Sequence, residues 1–225
     1  MNRQQQMLDE ISMDAELTAE MTGRSAFSPD TMEAMASVPR NQFVPEELLA
    51  QAYYNIPLPI GHGQTISQPY MVALMTDLLD PKPEYNCLEV GTGSGYQAAV
   101  LSRLVKKVYS VEINPVLHLQ AKARLERLNF NNIDCILGGE KLGFIEHAPY
   151  DGILVTAAAD QIPPALIDQL TNGGRMLIPV GPQHLGQTLY LVDKNKQGKV
   201  NKKPLLAVRF VPLLPVKESS GREPG

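Results

Sequence analysis

The stretch that most constrains the fold runs from Cys87 to Tyr96 and reads Cys-Leu-Glu-Val-Gly-Thr-Gly-Ser-Gly-Tyr. An apolar run rises into three closely spaced glycines, and an amphipathic segment from Gln97 to Leu104 follows at once. That order spells a strand, a tight turn and a helix N-terminus. Glycine at such a turn tolerates positive φ and lets a ligand come close to the backbone. The first N–H groups of the helix have no partner within it and point outward.

The spacing differs from the G-x-G-x-x-G turn that cradles a dinucleotide pyrophosphate. Here Gly91, Thr92, Gly93, Ser94 and Gly95 read G-x-G-x-G, and Glu89 stands just before them. A carboxylate there repels a pyrophosphate but suits a cationic ligand that carries an amino group. S-adenosylmethionine, with a sulfonium and an α-ammonium, is such a ligand. A second acid, Glu112, ends the next apolar run, Val108 to Val111. It lies about twenty residues on, the offset at which an acid at a strand end grips ribose hydroxyls. The two acids together favour this site over a generic glycine turn with a surface glutamate, and they oppose a nicotinamide dehydrogenase.

A chain of 225 residues is long enough for one good-sized α/β domain with a short extension. Its net charge of −4 argues against a general grip on nucleic acid, which needs a basic face. No apolar run approaches the roughly eighteen residues of a membrane span. The polar start, Met1 to Gln6, has no signal core. Cys87 and Cys135 fall in predicted strands and read as small buried hydrophobes with free thiols. His118, His147 and His184 lack metal-ligand spacing and read as surface residues, so no metal is expected. A cytoplasmic protein without membrane or nucleic-acid partners is expected.

Residues 1 to about 50 look helical, with a helix start at Ser28-Pro29-Asp30, a stop at Val38-Pro39-Arg40 and a second short helix from Pro45. This block is too poor in apolar residues for its own core and should lean on the rest as a cap. From Tyr53 to Met71 the chain is rich in Pro, Gly and small polar residues, without a clean period, and reads as a functional loop. A helix follows from Pro69 to Leu79, with proline in its first turn. Strands are then predicted near 87–91, 107–112, 133–138, 150–156 and 174–180, with helices near 96–104, 115–129 and 163–171. Such alternation implies a doubly wound, mostly parallel sheet. Thr188 to Asp193 and Leu205 to Val211 flank a turn-like polar run and read as a closing antiparallel hairpin. The expected organisation is a helical extension with an active-site loop (1–80), a main domain (81–215) and a polar tail (216–225).

With those residues in view, the chain resembles the protein-L-isoaspartate (D-aspartate) O-methyltransferases. The resemblance spans about Val38 to Leu213. Val38-Pro39-Arg40 with Phe43-Val44-Pro45 is similar to the family's opening signature, and Pro59 to Ala73, with Thr65-Ile66-Ser67 at its centre, is similar to its most distinctive motif. Glu89 to Tyr96 is the methyltransferase glycine loop in this family's wording, and Val208-Arg209-Phe210-Val211-Pro212-Leu213 also fits. The resemblance implies a Rossmann-like seven-stranded methyltransferase sheet, with the antiparallel hairpin at the C-terminus and the helical extension at the N-terminus. It also implies S-adenosylmethionine as cofactor and a monomer. The acceptor would be the α-carboxylate of L-isoaspartyl, and also D-aspartyl, residues in damaged proteins and peptides, whose methylation starts repair.

A carboxylate is already ionised at neutral pH, so its methylation needs positioning and a dry site more than a general base. Ser67 is the expected catalytic donor, with a helix N-cap as its bland alternative. The resemblance places Thr65, Ile66, Ser67, Glu89, Gly91, Thr92, Gly93, Ser94, Gly95, Glu112, Gly139 and Glu140 at the cofactor. It places Ile60, Ile66, Ser67, Val208, Phe210 and Val211 at the substrate. His62 is a weak candidate base, and Tyr70 packs either on a ligand or on a plain helix face. One departure stands out: the family's Gly-Asp-Gly near the adenine reads Gly138-Gly139-Glu140 here, so the acid is missing or one residue late. That leaves room for a carboxyl methyltransferase of the same fold with another peptide acceptor, or a catalytically silent binding module.

Overall fold

The computed structural model describes residues 3–139, 141–182, 184 and 186–214. Helices α1 (Arg3–Leu17), α2 (Ala19–Thr22) and α3 (Pro29–Ser37) lead into two 3-10 turns, Arg40–Phe43 and Glu46–Gln51. A small antiparallel hairpin of β1 (Leu58–Gly61) and β2 (Gln64–Ile66) precedes α4 (Pro69–Leu79). The alternating part comprises β3 (Asn86–Val90), α5 (Tyr96–Leu101), β4 (Lys107–Glu112), α6 (Pro115–Arg127), β5 (Ile133–Leu137), β6 (Tyr150–Val155), α7 (Pro164–Asp168) and β7 (Leu170–Val180). Strands β8 (Gln187–Lys194) and β9 (Val200–Val208) close the chain.

These strands form one seven-stranded sheet in the order β5-β4-β3-β6-β7-β8-β9. The first five pair in parallel, and β8 and β9 add antiparallel. The doubly wound reading holds, and so does the closing hairpin. Side chains alternate across the pleat: Cys87, Leu154 and Leu177 face one core with α4 and α5, while Leu88, Ile153, Val155, Met176 and Ile178 face the other with Leu166 of α7. The order reverses direction around β3, and a crevice opens at the carboxyl ends of the strands there.

The N-terminal helices share the first of these cores. Met7, Ile11 and Ala15 recur at four-residue spacing on α1 and are buried in the same cluster as Leu74 and Met75 of α4. Three polar ties fix this block to α4, the helix that follows Ser67. The Thr18 and Tyr70 hydroxyls lie 2.5 Å apart. Asn55 donates to Asp14 at 2.8 Å and accepts from the Tyr70 N–H at 2.9 Å. Asp77, 7% exposed, accepts from the Ser28 N–H at 2.8 Å and from Arg24 Nε at 2.7 Å. Ser28 also caps α3 as expected, its hydroxyl accepting from the Thr31 N–H at 3.2 Å. Tyr70 is therefore a packing residue against α1 and Phe27 rather than a ligand contact.

Several expectations need correction. The Tyr53–Met71 stretch is not wholly loop: Leu58 pairs with Ile66 and Pro59 with Thr65 around a turn of Gly61, His62 and Gly63, all at positive φ. Strands of three and four residues, one holding a proline, are too short to show a period of two. Helix α5 ends at Leu101 and α7 at Asp168, both short of the predicted ends, while β7 begins four residues early. The short helix expected from Pro45 is present, as a 3-10 helix over Glu46–Gln51. Cys135 is only half-buried, because β5 is an edge strand, and His118 is half-buried rather than superficial. The predicted polar tail lies outside the described residues. No helix among the described residues is long and apolar enough to cross a membrane.

Candidate active site

The cavity in the crevice encloses about 1050 Å³ of empty space, open mouth included. It is lined by Thr65, Ile66 and Ser67 from the hairpin, Glu89 to Ser94 from the glycine loop, Glu112 to Asn114 after β4, Lys141 to Gly143, Thr156 and Ala157 after β6, and Val211 to Leu214 after β9. Most of the residues singled out in the sequence thus meet in one place.

The glycine loop is built as its composition requires. Gly91, Gly93 and Gly95 have φ of 101°, 53° and 86°. A Cβ on Gly91 would come within 2.4 Å of Thr156 Oγ1, whose hydroxyl donates to the Gly91 carbonyl at 2.5 Å. The loop is held from β4 as well: the Gly91 N–H donates to the Val111 carbonyl at 2.8 Å, and the Gly93 N–H to Glu112 Oε2 at 2.8 Å. Glu112 Oε1 accepts from the Asn114 N–H at 2.9 Å. The second acid therefore braces the loop while lining the cavity, and each oxygen keeps a further lone pair for a ligand.

Glu89 is fully buried. Ser110 donates its hydroxyl proton to Glu89 Oε2, and Ser110 in turn accepts from Thr92 Oγ1 across 2.6 Å. Glu89 Oε1 is buried with no hydrogen-bond partner among the described residues. Burial pushes this carboxyl up to about 8; the Ser110 hydroxyl and the nearby Ala98 N–H oppose the shift, and Glu112 adds to it. A buried acid with one idle oxygen on a cavity wall is a place for a cation that can donate a hydrogen bond.

Ser67 lines the same cavity but does not cap α4. Pro69 is the first helical residue, so Gln68 occupies the cap position, and its side chain makes no capping bond. The Ser67 hydroxyl makes no side-chain hydrogen bond within the described residues, which leaves it for a ligand. His62 sits at the exposed tip of the hairpin and lines both the cavity and an adjoining groove, where Ile60 faces Gly93. Arg40 stands behind the site, fully buried. It donates to the carbonyls of Ala52 at 2.9 Å and Ile56 at 3.2 Å and lies 4.9 Å from the Tyr96 ring centre. Burial lowers it to about 10, so it remains a cation at neutral pH and fixes the approach to the hairpin.

Not every candidate reaches the cavity. Val208 ends β9 half-buried against the core, and Phe210 is a core residue at 8% exposure; of the three substrate residues expected there, Val211 alone lines the space. Gly139 is exposed and is not part of the lining, and Glu140 lies outside the described residues. Conversely, Asn114, Leu142, Thr156 and Pro212 line the cavity and Ser110 holds Glu89 at its wall, although none of the five was expected as a site residue. Ser110, Asn114 and Thr156 sit at or just past the carboxyl ends of β4 and β6, which is the one sequence signal that could have found them.

Comparison with known proteins agrees with this geometry. The family model described as protein-L-isoaspartate(D-aspartate) O-methyltransferase matches residues 13–218. Protein-L-isoaspartate O-methyltransferase 2 of Polaromonas sp. strain JS666 is 54% identical over 207 residues, 92% of this chain and 98% of that one. Its namesake in Syntrophobacter fumaroxidans is 55% identical over 207 residues, 92% of this chain and 84% of that one. Among solved structures, a beta-aspartate methyltransferase (PCMT) from Plasmodium falciparum in complex with S-adenosyl-L-homocysteine superposes with a TM-score of 0.77 at 25% identity, over 95% of this chain and 99% of that one. A match of this breadth, on a seven-stranded sheet whose glycine loop and Thr65-Ile66-Ser67 hairpin share one cavity, makes the chain a member of the protein-L-isoaspartate(D-aspartate) O-methyltransferase family.

Proposed function

We infer that this protein transfers the methyl group of S-adenosylmethionine to the α-carboxylate of L-isoaspartyl residues in damaged proteins and peptides, the first step of their repair. The observation that carries the reading is the convergence of Ser67, Glu89 and the glycine loop on one cavity. The residues fit the cofactor. Glu89 Oε1 is an idle acceptor for its ammonium, Glu112 has lone pairs for ribose hydroxyls, and the three glycines leave room for close approach to the backbone. When bound, the cofactor supplies an electrophilic methyl on a sulfonium.

The chain's part is to orient and to exclude water. Ser67 donates a hydrogen bond to one oxygen of the acceptor carboxylate and aims the other. Ile66, 2% exposed, and Leu213 keep the surroundings apolar. Charge is neutralised as carboxylate meets sulfonium, so a dry wall lowers the barrier. No general base is needed, and His62 at the hairpin tip has no such role in this reading.

Transfer of labelled methyl from S-adenosylmethionine to an isoaspartyl peptide, with the matched aspartyl peptide beside it, tests the reading. Transfer to the isoaspartyl peptide alone supports it. Transfer to neither, with S-adenosylhomocysteine still bound, overturns it in favour of another acceptor or a silent module. The reading includes a single copy acting in the cytoplasm, and a stable dimer in sedimentation equilibrium would overturn that part.

The missing acid of the Gly-Asp-Gly motif gives a second test. A Cβ on Gly139 meets nothing within 4 Å, and its φ is not positive, so an aspartate is accommodated without strain. Gly138 could not change, since its Cβ would meet Val111 and Ile113 at 2.9 Å. Gly139→Asp should tighten S-adenosylhomocysteine by roughly fivefold to tenfold, the worth of one hydrogen bond. Unchanged affinity by calorimetry would show that the adenine is held some other way in this chain.

A further inference from the structure

The cavity has two flanks, on either side of β3 in the sheet. Glu112, Ile113 and Asn114, beyond β4, form one. A strap of residues after β9, Val211 to Leu214, forms the other beside the end of β6. The strap has left the β8–β9 ladder, whose last register pair is Gln187 with Val208. Chain released from a ladder frays unless something else takes its N–H and C=O groups.

Two contacts do so. The Val211 carbonyl accepts from the Ala158 N–H at 2.8 Å, and the Leu213 N–H donates to the Ala158 carbonyl at 2.7 Å. Ahead of them, the side chain of Gln187 imitates a strand partner. Its Oε1 accepts from the Phe210 N–H at 2.6 Å, and its Nε2 donates to the Phe210 carbonyl at 3.1 Å. Gln187 is 4% exposed, so both bonds are shielded from competing water. An amide carries both an acceptor and a donor at the right separation, and among side chains of this length only glutamine does.

We propose that Gln187 is a positioning residue for the acceptor: by clamping Phe210 it sets the strap that the isoaspartyl peptide lies against, on the flank opposite Glu112. The proposal rests on the acceptor reading above. It assigns Gln187 no contact with the cofactor, whose acids lie on β3 and β4. Loss of the clamp therefore acts on the peptide and spares the nucleoside. A purely structural role would weaken both together.

The test uses the full chain loaded with S-adenosylhomocysteine and a fluorescent isoaspartyl peptide, read by anisotropy, with methyl-transfer kinetics in parallel. Gln187→Met, of similar length but without donor or acceptor, should raise the peptide Kd and KM about tenfold while S-adenosylhomocysteine stays within twofold. Gln187→Glu keeps the acceptor for the Phe210 N–H, but its second oxygen faces the Phe210 carbonyl, so the peptide loss should be small at low pH, where the protonated carboxyl donates, and should grow as pH rises. Hydrogen exchange at the Phe210 and Leu213 amides should speed up in the methionine variant. If the methionine variant does not fold, the glutamate variant decides by the same split. Equal losses of peptide and nucleoside affinity, or unchanged peptide affinity in a folded variant, overturn the proposal. A wild-type protein that neither binds nor methylates the peptide overturns the acceptor reading instead.

Discussion

Ser67→Ala lowers kcat/KM for an isoaspartyl peptide by about 10- to 150-fold, the range set by losing one hydrogen bond to a charged group. S-adenosylhomocysteine affinity should stay within about twofold, since the loss falls on the acceptor. The melting temperature should hardly move. The hydroxyl bonds to no side chain or backbone group within the described residues, and the cap position of α4 belongs to Gln68, so the folded protein does not depend on it. That separates a substrate donor from a structural serine: a structural serine costs stability, whereas this one costs turnover. Unchanged transfer by the variant would remove Ser67 from the reaction.

Glu89→Gln has the largest expected effect on cofactor binding and an opposite effect on stability. In the ligand-free protein, burial holds the Glu89 carboxyl up at about 8, well above the ordinary carboxylate value. A raised value means the fold favours the protonated form. The stability this contributes is complete below about 4.5 and is lost as pH rises through about 8. Glutamine has no charge to bury. The variant's ligand-free protein should therefore be more stable than wild type at pH 8.5, by on the order of a few kcal/mol, and the two should converge near pH 4. Thermal or denaturant melts across that range check this, and parallel pH profiles for the two proteins would refute it.

Binding runs the other way. An ammonium placed at Oε1 favours the ionised carboxylate, so below about pH 8 binding releases a proton from Glu89. Wild-type affinity for S-adenosylhomocysteine should tighten by up to about tenfold per pH unit between pH 6 and 8. The glutamine variant should bind roughly 100-fold more weakly at pH 8, as expected when one member of a buried charge pair is removed, and should lose the pH dependence. A flat wild-type profile would place the ammonium elsewhere. Here the residue that serves the ligand is one the empty fold would do better without.

Much of the architecture was readable locally. The apolar runs at β3, β6 and β7, the glycines at 91, 93 and 95, the Ser28 cap and Pro69 at a first helical turn are properties of neighbours in the chain. Period, turn chemistry and capping act over a few residues, so these elements are recoverable without their surroundings. The β1–β2 hairpin was not, because its pairing is too short to impose a period. The half-burial of Cys135 depended on β5 lying at the sheet edge, which no local pattern states.

The site divides the same way. The glycine loop, the acid before it, the acid ending the next strand and the Thr65-Ile66-Ser67 motif are legible along the chain. Long-range packing set β3 between β4 and β6, which brings residues 67, 89, 112, 156 and 212 to one cavity. It also decided that Ser110 holds Glu89, that Gln187 clamps Phe210, and that Val208 and Phe210 turn to the core while Val211 faces the space. Those pairings join groups about twenty or more residues apart in the chain. Each is chosen by strand order and by the need to satisfy buried polar groups across the whole fold, and no local stretch carries that information.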